Sequence, residues 1–275
     1  MRSILKKIRG RLRKQTTNAA VLACVEQNTF TSPAGQWYLP ALAGPGTFWN
    51  EITRPVTIRG ALEIMQRLAN DSYTKYVIDF YNAGLARFGD QWVYADINTV
   101  LFGISRILQP QSYLEIGVRR GRSMAMVVSQ APTCSVVGFD LWIKDYAGME
   151  NPGEEFVRLE LNKIGHKGNA EFVSGDSKVT VPLYFQARSN PAFDLITVDG
   201  DHSEKGARLD LENVIPHLKV GGVLVFDDTC NQSHRGLTQL WTEVVVNNPS
   251  FASHTFNEVG FGVGFAVKKA NDSLA

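Results

Sequence analysis

The spacing of apolar residues changes character near residue 112. Before that point, apolar positions recur at intervals of three and four over 61–69, 73–88 and 92–108, which predicts helices. From residue 112 onward, short apolar runs alternate with helix-like segments, a pattern typical of a parallel sheet with helices on both faces. The predicted strands of this sheet are 112–117, 135–140, 170–174, 193–199 and 222–227.

Two more strands are predicted between Ser253 and Lys269, joined around Glu258–Gly262, so an antiparallel hairpin is expected to close the sheet. The predicted fold class is therefore α/β: a doubly wound, Rossmann-like sheet of seven strands with a terminal antiparallel hairpin and a helical N-terminal extension. The predicted organisation has three parts. They are a basic tail over 1–20, an accessory segment over 21–90 that is loop-rich then helical, and the α/β domain over 91–270. Proline and glycine punctuate 28–60, which predicts loops there.

Charge divides the chain unevenly. The sequence holds 28 Lys and Arg against 27 Asp and Glu, and seven of the basic residues lie within residues 1–14, which contain no acid. The rest of the chain is therefore acidic on balance, which argues against a nucleic-acid surface. Residues 1–15 have two interpretations: a solvated tail, which is favoured, or an amphipathic helix lying on anionic lipid as a peripheral contact at the inner membrane surface.

Cysteine use and hydropathy indicate the compartment. Cys24, Cys134 and Cys230 are widely spaced and form no CxxC pair, which fits a reducing environment. No apolar stretch approaches the roughly 18 residues that span a bilayer, and no apolar segment typical of a secretory signal follows the basic start. The expectation is a cytoplasmic protein. Aromatic residues in the N-terminal third would suit a partner subunit, so a homo-oligomer is also expected.

Acidic residues follow two strands that are expected to be neighbours in the sheet. The strand 193–198 runs into Asp199, Asp201 and His202, and the strand within 221–226 runs into Asp227 and Asp228. Ligands of open parallel sheets bind outside the carboxyl ends of the strands. Neighbouring strand ends of this kind can supply the oxygen ligands of a hard divalent cation.

The first predicted strand leads into a glycine-bearing turn, Glu115-Ile-Gly117-Val-Arg-Arg-Gly121-Arg-Ser123. Such a turn lets a ligand approach the backbone, and the following helix N-terminus attracts a negative group. The second strand ends in Asp140, 23 residues after Gly117, where an acid can accept hydrogen bonds from ribose hydroxyls. With Asp176 after the third strand, four successive strand ends carry an acid.

These motifs, in this order and spacing over about 90–269, resemble the class I S-adenosylmethionine-dependent methyltransferases. Within that class they resemble the metal-dependent O-methyltransferases that act on sugars of macrolide antibiotics. The resemblance implies S-adenosylmethionine and Mg²⁺ as cofactors. It also implies specific residues. Glu115, Gly117 and Gly121 would line the methionine end of the cofactor with Ser123 as a further contact, Asp140 would hold the ribose, Asp176 would face the adenine, Asp199, Asp227 and Asp228 would bind the metal, and His202 would be the general base.

Three residues qualify this assignment. Arg119 stands where many class I enzymes have a glycine, and it either pairs with the cofactor carboxylate or points to solvent. His234 is a second candidate base. Asp201 fits a capping role better than a catalytic one.

The chemistry of methyl transfer favours the same set independently of the resemblance. An alcohol needs its proton removed as it attacks a sulfonium. A divalent cation lowers the pKa of the hydroxyl, and histidine, with an ordinary pKa of about 6.5, accepts the proton. We therefore expect Asp199 and His202 to be catalytic.

The predicted function is methyl transfer from S-adenosylmethionine to a hydroxyl of a sugar or glycosylated natural product, so the partner is a small-molecule or glycan acceptor. Three alternatives stay open. One is a metal-independent methyltransferase, one is a non-catalytic cofactor-binding module in glycan or secondary-metabolite assembly, and the least favoured is an oxidative enzyme.

Overall fold

The computed structural model describes residues 31–32, 35–36, 41–145 and 148–269. The predicted basic tail, its proposed membrane contact and Cys24 lie outside the described residues. The first described elements are two short strands, β1 (Thr31–Ser32) and β2 (Gly35–Gln36), which pair antiparallel.

Four helices follow and are called the N-terminal extension below. They are α1 (Pro45–Ile52), α2 (Pro55–Arg67), α3 (Ser72–Phe88) and α4 (Ile97–Leu108). The last lies within the span 91–270 that was predicted for the α/β domain, and the first two correct one prediction. Residues 45–52 and 55–60 were predicted to be loop, which is wrong. Pro45 and Pro55 stand in the first turn of α1 and α2, where a missing N–H costs nothing because no helical partner exists for it.

The remaining elements alternate as the pattern predicts. The strands are β3 (Ser112–Ile116), β4 (Ser135–Asp140), β5 (Ala170–Ser174), β6 (Phe193–Val198), β7 (Leu218–Asp227), β8 (Phe251–Phe256) and β9 (Val263–Lys268). The helices are α5 (Arg122–Gln130), α6 (Glu154–Ile164), α7 (Ser177–Gln186), α8 (Glu204–Val214) and α9 (Gly236–Trp241).

The larger sheet of the described residues has seven strands in the order β5–β4–β3–β6–β7–β9–β8. The first five strands in that order pair in parallel, whereas β9 pairs antiparallel with both β7 and β8. The predicted seven-stranded, Rossmann-like sheet with a terminal antiparallel hairpin and N-terminal helices is confirmed.

Helices cover both faces of this sheet. Successive residues of one strand point to opposite faces, so Leu195 belongs to the apolar core on one side and Ile196 to the core on the other. The first core also contains Ile52, Ile58 and Tyr81, which are fully buried. The helices of the extension therefore share a hydrophobic core with the sheet, which fixes them beside the strand ends. None of the helices in the described ranges is both long and apolar enough to cross a membrane.

Candidate active site

A cleft of about 650 Å³ opens at the carboxyl ends of β3, β4, β6 and β7. This is the edge at which open parallel sheets bind ligands. Most of the candidate site residues line it. They are Gly117, Ser123, Asp140, Asp176, Asp199, His202, Asp227 and Asp228.

The turn after β3 brings two strand ends into close approach at Gly117. This residue has a φ of +92°, and a Cβ built on it would lie 1.9 Å from the carbonyl oxygen of Asp199. Any side chain would therefore separate the ends of β3 and β6. Gly121 has a φ of +70°, and its missing Cβ would contact Val157 on α6 instead of the cleft.

Glu115 lies behind the cleft wall and has no exposed surface. Its carboxyl accepts a short hydrogen bond from Ser123 Oγ and lies 2.9 Å from Tyr113 Oη. Burial raises the pKa of Glu115 to about 8, although both hydrogen bonds oppose that change. The side chain thus fixes Ser123, which does line the cleft, to β3. Its predicted contact with a cofactor stays a prediction.

Asp140 organises the cleft beyond the end of β4. One carboxylate oxygen accepts from the backbone N–H of Arg119 at 2.7 Å, and the other from that of Trp142 at 2.6 Å and from Asn151 Nδ2 at 3.2 Å. Asp176 is exposed at the cleft rim and accepts from the backbone N–H of Lys178 at the start of α7. Both acids retain free acceptor capacity toward the cleft.

The end of β7 places adjacent acids in the same cleft. Asp228 is buried and has a left-handed backbone with a φ of +59°, and it lines the cleft together with Asp227. Asp227 lies deep in the cleft but keeps some solvent contact. Burial, and then the negative charges of neighbouring carboxylates, Asp199 above all, raise the pKa of both acids. This repulsion indicates a site suited to a positive charge.

His202 lies between Asp199 and Asp228. Its Nε2 is 3.4 Å from Asp199 Oδ1 and its Nδ1 is 3.3 Å from Asp228 Oδ2. The hydrogen bond to Asp199 raises the pKa of His202, and the charges of Asp199 and Asp228 add to the increase against the effect of burial. The ring of His234 lies 5.0 Å away and also lines the cleft.

Asp201 has the local role that its position suggests. It accepts a hydrogen bond from the backbone N–H of Ser203 at 2.8 Å and pairs with Lys178 at 3.0 Å. Since Ser203 caps α8, Asp201 orders the turn that carries His202.

The negative charge of the cleft suits a metal ion better than the present arrangement of its side chains does. Within the described ranges, no three His, Cys, Asp or Glu side chains are already arranged as metal ligands. His202 instead contacts two of the three candidate carboxylates. The donor type is nevertheless the one that Mg²⁺ prefers, and burial together with repulsion from neighbouring carboxylates raises the pKa of Asp227 and of Asp228, an effect that a bound cation would oppose.

Several lining residues were not found from the sequence. Tyr73 and Asn98 come from the helical extension, Asn151 comes from the segment before α6, and Asn231 donates to Asp228 Oδ2 at 3.1 Å. Asn231 could have been found, because it follows the Asp pair by three residues. Nothing local identifies Tyr73 or Asn98, since their role depends on where the extension packs.

Arg119 lines the cleft and has a left-handed backbone, with a φ of +48°. Its Nε and Nη2 atoms are buried, and no described residue hydrogen-bonds to them. The Oδ1 atom of Asn151 is likewise buried without a partner among the described residues. Orphaned buried groups on a cleft wall are atoms that a ligand can satisfy.

Comparison with protein families adds an independent finding. Residues 114–229 match a family model described as a methyltransferase domain. This span contains the turn after β3 and every acidic strand end described above. The predicted enzyme class, a methyltransferase, is confirmed over this span. A search of curated proteins gave no match.

Solved structures give the same fold. Cofactor-bound Rv0187 from MTB is 19% identical, with a TM-score of 0.50 over 78% of this chain and 91% of that chain. The O-methyltransferase from Bacillus cereus in complex with SAH is 18% identical, with a TM-score of 0.50 over 73% and 92%. The O-methyltransferase TomG from Streptomyces achromogenes, involved in tomaymycin synthesis and in complex with SAM, is 17% identical, with a TM-score of 0.50 over 73% and 91%. At these identities the likeness establishes the fold.

Proposed function

We propose that this chain, whose residues 114–229 match a family model described as a methyltransferase domain, transfers a methyl group from S-adenosylmethionine to a hydroxyl of a small acceptor, a sugar or a glycosylated natural product. One observation carries the proposal: a candidate base, His202, and three carboxylates share a single cleft with the glycine turn after β3. A cleft of about 650 Å³ has the size of a small-molecule site. The O-methyltransferases among the structural relatives support oxygen as the atom methylated.

The cofactor would lie between the β3 turn and Asp140. Gly117 leaves room at the backbone, Ser123 presents a hydroxyl, and Asp140 has acceptor capacity for ribose hydroxyls. The orphaned atoms of Arg119 and Asn151 provide a donor and an acceptor on the same wall. Bound there, S-adenosylmethionine supplies an electrophilic methyl group.

His202 would remove the proton from the acceptor. The Nδ1 contact with Asp228 orients the ring. Nε2, which contacts Asp199 at 3.4 Å in this structure, would receive the proton of the hydroxyl once the Asp199 carboxylate turns away from it. The nearby carboxylates favour the protonated imidazole, so they stabilise the state that exists after proton transfer. The methyl group then bonds to the acceptor oxygen, and the neutral thioether leaves.

Asp199, Asp227 and Asp228 would hold a divalent cation. Such a cation would lower the pKa of a coordinated hydroxyl and, by neutralising the carboxylates, return His202 to its neutral form. Asp199 is more accessible than Asp228, with 28% against 10% of the side chain exposed, so its carboxylate can change orientation more easily on binding.

A metal-independent reaction is the second candidate, and a specific contact favours it. His202 contacts Asp199 and Asp228 at 3.4 Å and 3.3 Å, so these carboxylates would stabilise the imidazolium that forms when neutral His202 takes the proton of the acceptor. In that case the base and its carboxylate partners would act without a Lewis acid.

A methyl-transfer assay distinguishes the candidates. Purified protein is incubated with labelled S-adenosylmethionine and a panel of sugars, nucleotide sugars and glycosides, in Mg²⁺ or in EDTA. The proposal expects label in an O-methylated product, lost in EDTA and restored by Mg²⁺. Turnover unaffected by EDTA would support the metal-independent reaction, and label on nitrogen or carbon would contradict the choice of a hydroxyl.

A further inference from the structure

Three arginines, Arg119, Arg120 and Arg122, lie between the end of β3 and the first residue of α5. They differ in their partners. Arg120 pairs with Asp71 at 3.3 Å and with Glu150 at 2.6 Å. Arg122 pairs with Asp71 at 3.2 Å and packs over the ring of Tyr73. Both guanidinium groups are therefore compensated by the N-terminal extension and the segment before α6.

Arg119 has no such compensation. No carboxylate in the described part of the chain forms an ion pair with it, and its buried Nε and Nη2 atoms have no hydrogen-bond partner there. Buried N–H donors without an acceptor cost free energy. A planar pair of unused N–H donors matches a carboxylate or phosphate.

We propose that Arg119 is the anion-binding residue of the donor subsite and that it binds the α-carboxylate of S-adenosylmethionine. This inference rests on the proposed function. The backbone N–H of Arg119 donates to Asp140, the acid proposed for the ribose, and Arg119 lines the same cleft as Gly117 and Ser123, which are proposed for the methionine end. A single residue thus joins the ribose end of the cleft to the methionine end.

The position makes the arginine selective for one end of the ligand. A sulfonium donor carries a positive charge near its methyl group and a negative charge at its carboxylate. Asp199, Asp227 and Asp228 line the same cleft as Arg119, whose Nε and Nη2 atoms have no partner among the described residues. The cleft therefore offers negative groups to the sulfonium and a positive group to the carboxylate.

The test is a calorimetric binding cycle with two ligands. S-adenosylhomocysteine carries the carboxylate, and its decarboxylated analogue retains the amine but lacks that group. The wild-type protein is expected to bind S-adenosylhomocysteine about ten- to a hundredfold more tightly than the analogue, the range of charge-assisted hydrogen bonds. Arg119→Met is expected to lower the affinity for S-adenosylhomocysteine to that for the analogue, while the affinity for the analogue stays unchanged. Arg119→Lys should retain part of the preference for S-adenosylhomocysteine.

A matched control removes a different arginine. Arg59 is exposed and pairs with Asp90 on the surface, so Arg59→Met lowers the net charge by the same amount and should leave both affinities unchanged. The wild-type comparison needs no variant, so it stands even if Arg119→Met fails to fold.

Distinct results would overturn the assignment. Equal wild-type affinity for the two ligands excludes a carboxylate contact. If Arg119→Met lowers the affinity for both ligands equally, the side chain maintains the conformation of the turn and does not contact the carboxylate. If Arg119→Met leaves the affinity for S-adenosylhomocysteine unchanged but raises the KM for an anionic acceptor, Arg119 binds the acceptor instead of the donor. If the wild-type protein bound neither ligand, the proposed function itself would fail.

Discussion

The Nδ1 atom of His202 lies 3.3 Å from the Oδ2 atom of Asp228, and this contact joins the turns that follow β6 and β7. Asp228 adopts a left-handed backbone to make it, a conformation that costs free energy in a residue other than glycine. Strain of this kind persists where the surroundings enforce it, often at functional sites. The pairing is therefore the geometric basis for assigning the base.

Replacing His202 is expected to remove turnover and retain cofactor binding. His202→Ala deletes the proposed proton acceptor but leaves the wall formed by Gly117 and Asp140 intact, so methyl transfer should fall by about 10²- to 10⁴-fold. Single-turnover kinetics measure the loss, and calorimetry with S-adenosylhomocysteine measures binding. His217→Ala is the matched control, because His217 stacks on Phe185 outside the cleft. Retained turnover in His202→Ala would transfer the role of base to His234.

Asp199 is expected to serve the reaction and not the binding of the donor. Asp199→Ala should abolish turnover while leaving S-adenosylhomocysteine affinity within about threefold, a change of less than 1 kcal/mol. Asp201→Asn is the control within the same turn, because Asp201 contacts Ser203 and Lys178 instead. It should remain active. Loss of the calorimetric signal in Asp199→Ala would assign Asp199 to the cofactor.

Much of this architecture could be predicted from local patterns. The strands of a doubly wound sheet are buried on both faces, so runs such as 193–198 are continuous in apolar residues and end abruptly where the ligand edge begins. The positions of Asp140, Asp199 and Asp227 follow from that rule alone. Pro45 and Pro55 misled the prediction because proline marks the start of a helix as readily as it marks a loop.

The remaining part of the site depends on tertiary packing. Tyr73 and Asn98 reach the cleft only because α3 and α4 share a core with the sheet, and no local pattern encodes that docking. The burial of Glu115 also could not be predicted. A strand residue before a glycine turn can face either the ligand or the core, and here hydrogen bonds to Ser123 and Tyr113 accompany full burial.

Glu115 makes stability depend on pH in the direction opposite to that of a salt-bridged acid. Burial raises the pKa of Glu115 from 4.5 to about 8, so the folded state holds its proton more tightly than the unfolded state does. The free energy of unfolding should therefore fall as pH rises from about 4.5 to about 8. At pH 8 the corresponding loss in the free energy of unfolding is roughly 4 kcal/mol for the full pKa shift.

Glu115→Gln keeps the side chain neutral at every pH and should remove this dependence. Urea unfolding at pH 5, 6.5 and 8 gives the comparison, with the variant gaining stability relative to the wild-type protein as pH increases. Glu155→Gln, on the exposed surface of α6, is the control and should follow the wild-type curve. Parallel curves for Glu115→Gln and the wild-type protein would show that Glu115 titrates as an ordinary glutamate.

The extension should contribute to acceptor binding through Tyr73. This residue stands near the start of α3, lines the cleft, and carries the guanidinium of Arg122 over its ring at 4.8 Å. Burial, with the charges of Asp227 and Asp96, raises the pKa of the phenol above its ordinary value. The phenol therefore stays protonated at any working pH and can donate a hydrogen bond to an acceptor oxygen beside the acidic strand ends.

Tyr73→Phe removes this donor and preserves the ring under Arg122. The KM for the acceptor is expected to rise about two- to tenfold, the net value of one hydrogen bond, with unchanged affinity for S-adenosylhomocysteine. Tyr76→Phe is the matched control, because Tyr76 lies on the same helix with 64% of its surface exposed. A loss of S-adenosylhomocysteine affinity at constant acceptor KM would place Tyr73 on the donor side of the cleft, and the extension would then serve the cofactor.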